Sequence, residues 1–144
     1  METQLNPNEI RLPRKLTNQM LHWSQLSPDT EICGLIGADL AGMPQSCYPV
    51  NNCADIPQQR FLLDAKQQID VMRQMREKGE TLFAIYHSHP TTPAEPSQAD
   101  LEQSAYPEAL NLIISLNTKG VLELRAYRII QKSWQELSII MIEA

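Results

Sequence analysis

The sequence predicts an α/β fold, a single domain in which a mixed β-sheet is packed by helices. Three observations carry that expectation. Short apolar runs of strand length recur along the chain. Between them lie segments with apolar residues at helical spacing. At 144 residues the chain is long enough for one real core and short for two. The domain is expected to span residues 1–144, with 1–12 as a polar N-terminal arm or short edge strand.

The elements follow in order. Residues 14–26 read as a helix, with Leu16, Met20 and Trp23 on one face as core contacts. His22 lies off that stripe and is expected to face solvent. Ser27-Pro28-Asp29 is a turn. Residues 31–38 form an apolar run opened by Glu31 and containing Gly34 and Gly37. A Gly-containing turn leads to a second strand over 42–50, which suggests a hairpin. Residues 51–59 are a loop, and Phe61-Leu62-Leu63 a short strand. The spacing predicts a helix over 65–78, with Ile69, Met72 and Met75 on one face and Gly79 as its stop. A strand over 81–87, a proline-punctuated loop over 90–96 and a short helix from Ser97 come next. Strands over 110–116, 121–130 and 137–142 finish the chain, with Asn117-Thr118-Lys119-Gly120 as the turn after the first. The sum is three helices and about seven short strands.

Composition excludes several classes. The chain is 42% apolar and 20% charged, which is globular and not disordered. Its net charge is −5, and its lysines and arginines are scattered, so no nucleic-acid footprint is expected. No apolar stretch approaches membrane-spanning length, and Met-Glu-Thr-Gln-Leu is not a signal peptide, which points to the cytoplasm. Three cysteines, Cys33, Cys47 and Cys53, give no disulfide framework and no cysteine zinc knot. Cys33, among Ile32, Gly34 and Leu35, reads as a buried small hydrophobe. A Cys–His nucleophile is the competing use of such a residue.

The densest chemistry lies between His87 and Asp100. Two of the three histidines of the chain, His87 and His89, end the run Leu82-Phe83-Ala84-Ile85-Tyr86. Residues two apart on a strand point the same way, so both imidazoles can face one point, while Ser88 faces the other side. Ser97 and Asp100 are three apart, one helical turn from each other. The pair also reads as a helix N-terminus, with Ser97 as cap and Asp100 in the first turn. The two uses are compatible. Two imidazole nitrogens and one carboxylate suit zinc and leave a position for water, the arrangement of a catalytic site.

At this point the residues carry a resemblance. Glu31, then His87-Ser88-His89-Pro90, then Ser97-Gln98-Ala99-Asp100, resemble the signature of the JAMM (MPN+, Mov34) zinc metalloproteases. The likeness continues in Glu31-Ile32-Cys33-Gly34-Leu35-Ile36-Gly37, in Asn52 through Arg60-Phe61 and in Arg125-Ala126-Tyr127-Arg128-Ile129. It covers most of residues 14–142. A DNA-repair-like relative shares the later motifs, but the Glu-x-Cys-Gly start fits the protease branch better. Ala65 stands where the short prokaryotic pattern often has proline. The insertions that grip ubiquitin chains in eukaryotic members have no room here.

The resemblance implies the MPN/JAMM (cytidine-deaminase-like) fold and a role for each residue. His87, His89 and Asp100 would bind one Zn²⁺ per chain. Glu31 would act as general base and acid, and Ser97 would donate to the oxyanion. The implied reaction is hydrolysis of the amide or isopeptide bond after the C-terminal Gly-Gly of a ubiquitin-like sulfur-carrier protein. Its extended tail is expected to pair with a sheet edge near the metal. Two other readings stand beside it. One is a metallopeptidase acting on small or cell-wall peptides. The other is a non-catalytic MPN scaffold, although inactive relatives lose ligand residues and here all five positions are filled.

Overall fold

The computed structural model describes residues 7–103, 106–117 and 122–143. Seven strands form one sheet: β1 (Glu9–Pro13), β2 (Cys33–Ala38), β3 (Pro44–Val50), β4 (Thr81–His89), β5 (Leu110–Ser115), β6 (Glu123–Ile130) and β7 (Ser133–Ile142). Three helices pack on it: α1 (Arg14–Leu26), α2 (Ala65–Glu77) and α3 (Gln98–Gln103). The strand order is β1-β7-β6-β5-β4-β2-β3, so β1 and β3 are the edges. β4 and β5 run parallel and β1 and β7 run parallel, while the other pairs are antiparallel. The mixed α/β sheet expected from the sequence is the sheet observed.

Each face of the sheet has its own core. On one, Leu16 and Met20 of α1 pack against Leu12, Ile36, Ala84, Tyr86, Leu112 and Ile114. On the other, Val71 and Met75 of α2 cover Leu35, Tyr48, Val50 and Ile85. Alternation along β4 assigns the faces: Ala84 and Tyr86 lie on the α1 side, Ile85 on the α2 side. His87 and His89 therefore fall on the α2 side, and Ser88 on the α1 side.

Four expectations need correction. Trp23 is 41% exposed, because the buried stripe of α1 is Leu16, Thr17, Met20 and Ser24. Ile69 is 63% exposed, because α2 turns Val71 and Met75 inward. Phe61-Leu62-Leu63 is not a strand: its ladder contact is the single bridge of Leu63 to Asn52. The last strand starts at Ser133, not 137, after a turn whose Gln131 and Lys132 both take positive φ. The expected turn residues Thr118, Lys119 and Gly120 lie outside the described residues, as do Val121 and residues 1–6 of the arm. Gly79 ends α2 at φ +74°, as expected of a C-terminal glycine. Among the described residues, no helix is long and apolar enough to cross a membrane.

The two glycines of β2 are there for close approach. A Cβ on Gly34 would enter the Tyr86 ring, and one on Gly37 would lie 2.6 Å from Glu80 Oε1. Glu80 is buried and accepts from Gln45 Nε2 and Ser46 Oγ at 2.6 Å and from the Tyr48 hydroxyl at 2.5 Å. Burial pushes its carboxyl up, but these three donors outweigh that and hold it below the ordinary glutamate value. A depressed carboxyl stabilises the fold above its unfolded pKa, and the gain is lost as pH falls through the folded one. Glu80→Gln should therefore cost about 1–3 kcal/mol at neutral pH. Denaturant melts at stepped pH should show that gap narrowing below about pH 4.

Candidate metal centre

Strand pairing delivers the first three residues of the site. The β2–β4 register sets Cys33 opposite His87. It continues past the strand end: Ser88 N donates to Ile32 O at 3.0 Å, and Ile32 N donates to Ser88 Oγ at 2.9 Å. That extension sets Glu31 across from His89 on the same face. Glu31 is anchored from the other side, where its N–H donates to Pro57 O at 2.7 Å and its carbonyl accepts from Asn52 Nδ2 at 3.0 Å. Asn52 is a hub. Its amide also donates to Arg60 O, and its Oδ1 accepts from Ala54 N and Leu62 N.

A helix terminus delivers the fourth. Asp100 N donates to Ser97 Oγ at 3.1 Å, and Ser97 N donates to Asp100 Oδ2 at 2.9 Å. This reciprocal cap fixes Asp100 in the first turn of α3. The loop before it is pinned three ways: the Tyr127 hydroxyl donates to Ala94 O at 2.5 Å, Ser115 Oγ to Thr92 O at 2.7 Å and His89 Nδ1 to Pro93 O at 2.8 Å.

The result is a buried cluster of Glu31, His87, His89 and Asp100, each offering a ligand atom within 4.8 Å of the others. His87 Nε2, His89 Nε2 and Asp100 Oδ2 form a triangle with every edge 3.1 Å. Pro93 O can only accept, which assigns the His89 proton to Nδ1 and leaves a lone pair on Nε2. Lone pairs converging on one point without a cation would repel. A triangle of that size has a point about 2 Å from each corner, the length of a zinc–nitrogen or zinc–carboxylate bond. The donor set therefore fits zinc. His87 is oriented by the Phe61 ring, stacked on it at 4.3 Å.

The electrostatics agree. Burial acts to raise the Asp100 carboxyl, but the neighbouring His87 and His89 imidazoles and the Ser97 N–H hold it well below the carboxylate range. Glu31 is 4% exposed, and its Oε1 has no hydrogen-bond partner among the described residues. Burial pushes its carboxyl up, with His87 and His89 pulling the other way. Ser97 is half-buried and sits beside the cluster through Asp100. Cys33 is no nucleophile: burial first, then Cys53 and Glu31, push its thiol up to about 12.

All five residues singled out from sequence thus come to one place, and His22 stays exposed and apart. Sequence reasoning missed Ser88 and Asn52 as positioning groups. The signal for Asn52 was faint, one of two adjacent amides, Asn51 and Asn52, after a strand, and nothing in the pattern said that four backbone groups would use it.

Prokaryotic homologues of the JAB domain match the chain over residues 13–130. The chain belongs to this prokaryotic JAB family. Among JAB relatives, the "CysO-cysteine peptidase" of Mycobacterium tuberculosis is 30% identical over 129 residues, 89% of this chain and 88% of that protein. The "desampylase" of Haloferax volcanii is 30% identical over 89 residues, 61% of this chain and 64% of its own. In structure, protein DSY2949 from Desulfitobacterium hafniense superposes with a TM-score of 0.83 at 31% identity, covering 93% of both chains. In this JAB chain, Asn52→Ala would strand four backbone partners and should cost about 2–4 kcal/mol. Chemical denaturation should record that loss, and hydrogen exchange should quicken at Glu31 and Leu62.

Proposed function

We propose that the protein is a zinc-dependent hydrolase that cuts the amide bond after the C-terminal Gly-Gly of a ubiquitin-like sulfur-carrier protein. One observation carries the reading: three buried donor atoms converge, each 3.1 Å from the other two, beside a buried glutamate oxygen with no partner among the described residues. The names of the relatives, a peptidase and a desampylase, support hydrolysis at such conjugates. The free state of all three cysteines suits the cytoplasm, where we place the protein.

His87 Nε2, His89 Nε2 and Asp100 Oδ2 would hold one zinc ion. When bound, zinc lowers the pKa of water from ~16 toward ~7. Glu31 takes the proton of the attacking water at its free Oε1 and passes it to the nitrogen of the leaving amine. Burial favours the protonated form in between, which makes the carboxyl a competent donor on the return step. Ser97 Oγ accepts from Asp100 N with a lone pair, so its hydroxyl proton is free to donate to the oxyanion.

The carrier tail needs a route in. β4 is paired on both sides, so the free edge nearest the site is β3. Its end at Val50 and Asn51 walls a groove of about 790 Å³ that opens onto Glu31, with Trp23 and Leu26 on its rim. Glycines let a tail lie close to such a wall.

Metal analysis should find close to one zinc per chain, and His89→Ala or Asp100→Ala should remove most of it. Full occupancy in both variants would sink the ligand assignment. Glu31→Gln should keep zinc and fold and slow hydrolysis about 10²–10⁴-fold. Ser97→Ala should slow it about 10²–10³-fold and cost about 1 kcal/mol of cap. Intact mass of a bacterial sulfur carrier with residues added after Gly-Gly should fall to the Gly-Gly end. If zinc-loaded enzyme spares every such carrier but hydrolyses short unrelated peptides, the small-peptide reading replaces this one.

A further inference from the structure

A second opening reaches the cluster from its other end. A cavity of about 200 Å³ lies between α2, α3 and the β4–β5 pair, walled by Phe61, Leu63, Ile85, Tyr106, Asn111 and Asp100. No residue lines both this cavity and the groove beside Glu31. Two of its walls are tied to the candidate metal centre: Asp100 supplies Oδ2 to the cluster, and Phe61 stacks on His87. Ile85 and Asn111 are register partners on adjacent strands, one step along β4 from His87.

The cavity suits one side chain. A hole of about 150 Å³ lined by apolar residues takes a benzene ring, and drug-sized ligands need at least about twice that. Most of its wall is aliphatic or aromatic. The exception deep in the sheet is Asn111, which is 9% exposed. No side-chain hydrogen bond ties its carboxamide to another described residue, and its polar atoms are not sealed from solvent, so they open on the cavity. Of the two other amides in the wall, Gln68 is already committed to the Tyr106 hydroxyl at 2.5 Å, and Gln103 is exposed on α3. The donors and acceptor of Asn111 are therefore open to whatever enters the cavity. The cavity lining includes no cation, so an anionic side chain would enter unpaired.

We infer that this cavity is the subsite for the side chain of the residue released after the scissile bond. Asn111 is the specificity-determining group, favouring an apolar stem that ends in an uncharged hydrogen-bonding group, with glutamine the best match. The inference rests on the proposed hydrolysis after Gly-Gly. The carrier tail takes the groove beside Glu31, so the separate cavity at the Asp100 end of the cluster falls to the residue on the leaving side. Glutamine reaches Asn111 along Leu63 and Ile85 and exchanges amide hydrogen bonds with it. Glutamate has almost the same shape and brings an uncompensated charge.

Two measurements on the zinc-loaded full chain test this. In the first, peptides ending Gly-Gly-Gln, Gly-Gly-Glu and Gly-Gly-Ala are compared by kcat/KM for release of the last residue. The glutamine peptide should be cut about tenfold faster than the alanine peptide and faster still than the glutamate one. Asn111→Ala should bring the glutamine peptide to the rate of the alanine peptide. In the second, glutamine amide is titrated against ¹⁵N-labelled protein, and the Asn111 side-chain NH₂ signals, assigned by their loss in Asn111→Ala, are followed. They should shift with glutamine amide and not with glutamic acid α-amide. Equal cleavage of all three peptides, or Asn111 signals that stay still, overturns the subsite while leaving Gly-Gly hydrolysis in place. No cleavage of any peptide together with a selective Asn111 shift upholds the pocket and sinks the carrier reading. No cleavage and no shift overturns both.

Discussion

The register of β2 against β4 is the constraint on which the rest depends. It sets Cys33 against His87 and, through the two Ile32–Ser88 hydrogen bonds, carries Glu31 to His89. Side chains alternate with period two, so a slip of one residue would send Glu31 to the α1 face and leave both imidazoles without it. The same slip would drive the Tyr86 ring off Gly34 and into a side chain. The glycines of β2 therefore guard the register that assembles the site. Ser88, the residue between the two histidines, fastens it just before β2 begins.

Asp100 shows a second economy. Its Oδ2 accepts the Ser97 N–H, as the acid of a capping box does, and the same atom faces both imidazoles. The helix start thus fixes a carboxylate that would otherwise swing, and it does so inside a pocket where burial alone would neutralise it. A cation at the cluster and a cap at the helix want the same ionised oxygen. Folding of α3 and filling of the site are coupled through that one atom.

Much of this was legible in the sequence, for a physical reason. His-x-His on an apolar run and Ser-x-x-Asp after proline are local patterns, and strand and helix periodicity convert them directly into shared faces. Glu31 was not legible that way, since 56 residues separate its neighbour Ile32 from Ser88, whose hydrogen bonds to Ile32 carry Glu31 to the site; only the family resemblance joined them. Trp23 and Ile69 misled because periodicity locates an apolar stripe but not which edge of it the sheet covers. The 131–132 turn escaped because Gln131 and Lys132 adopt positive φ without the glycine or asparagine that ordinarily announces it. Asn52 and Asn111 are both amides whose use the sequence does not announce. In the fold one is saturated by four backbone groups and the other has no hydrogen-bond partner among the described residues.

That contrast separates structure from recognition. An amide that holds a loop uses its whole hydrogen-bonding capacity, as Asn52 does, and the loop in turn holds Glu31. An amide that opens on a cavity with capacity to spare holds its donors and acceptor for whatever enters, as Asn111 does. The cluster stands between two openings with different demands. The groove at Glu31 ends on a strand edge and suits backbone that carries no side chain. The cavity at Asp100 is apolar, closed on several sides and provided with one idle amide. A bond cut between them would have glycine on one side and a side chain on the other. Under the proposed hydrolysis, the asymmetry of the two openings, rather than the candidate metal ligands themselves, would decide which bond is presented.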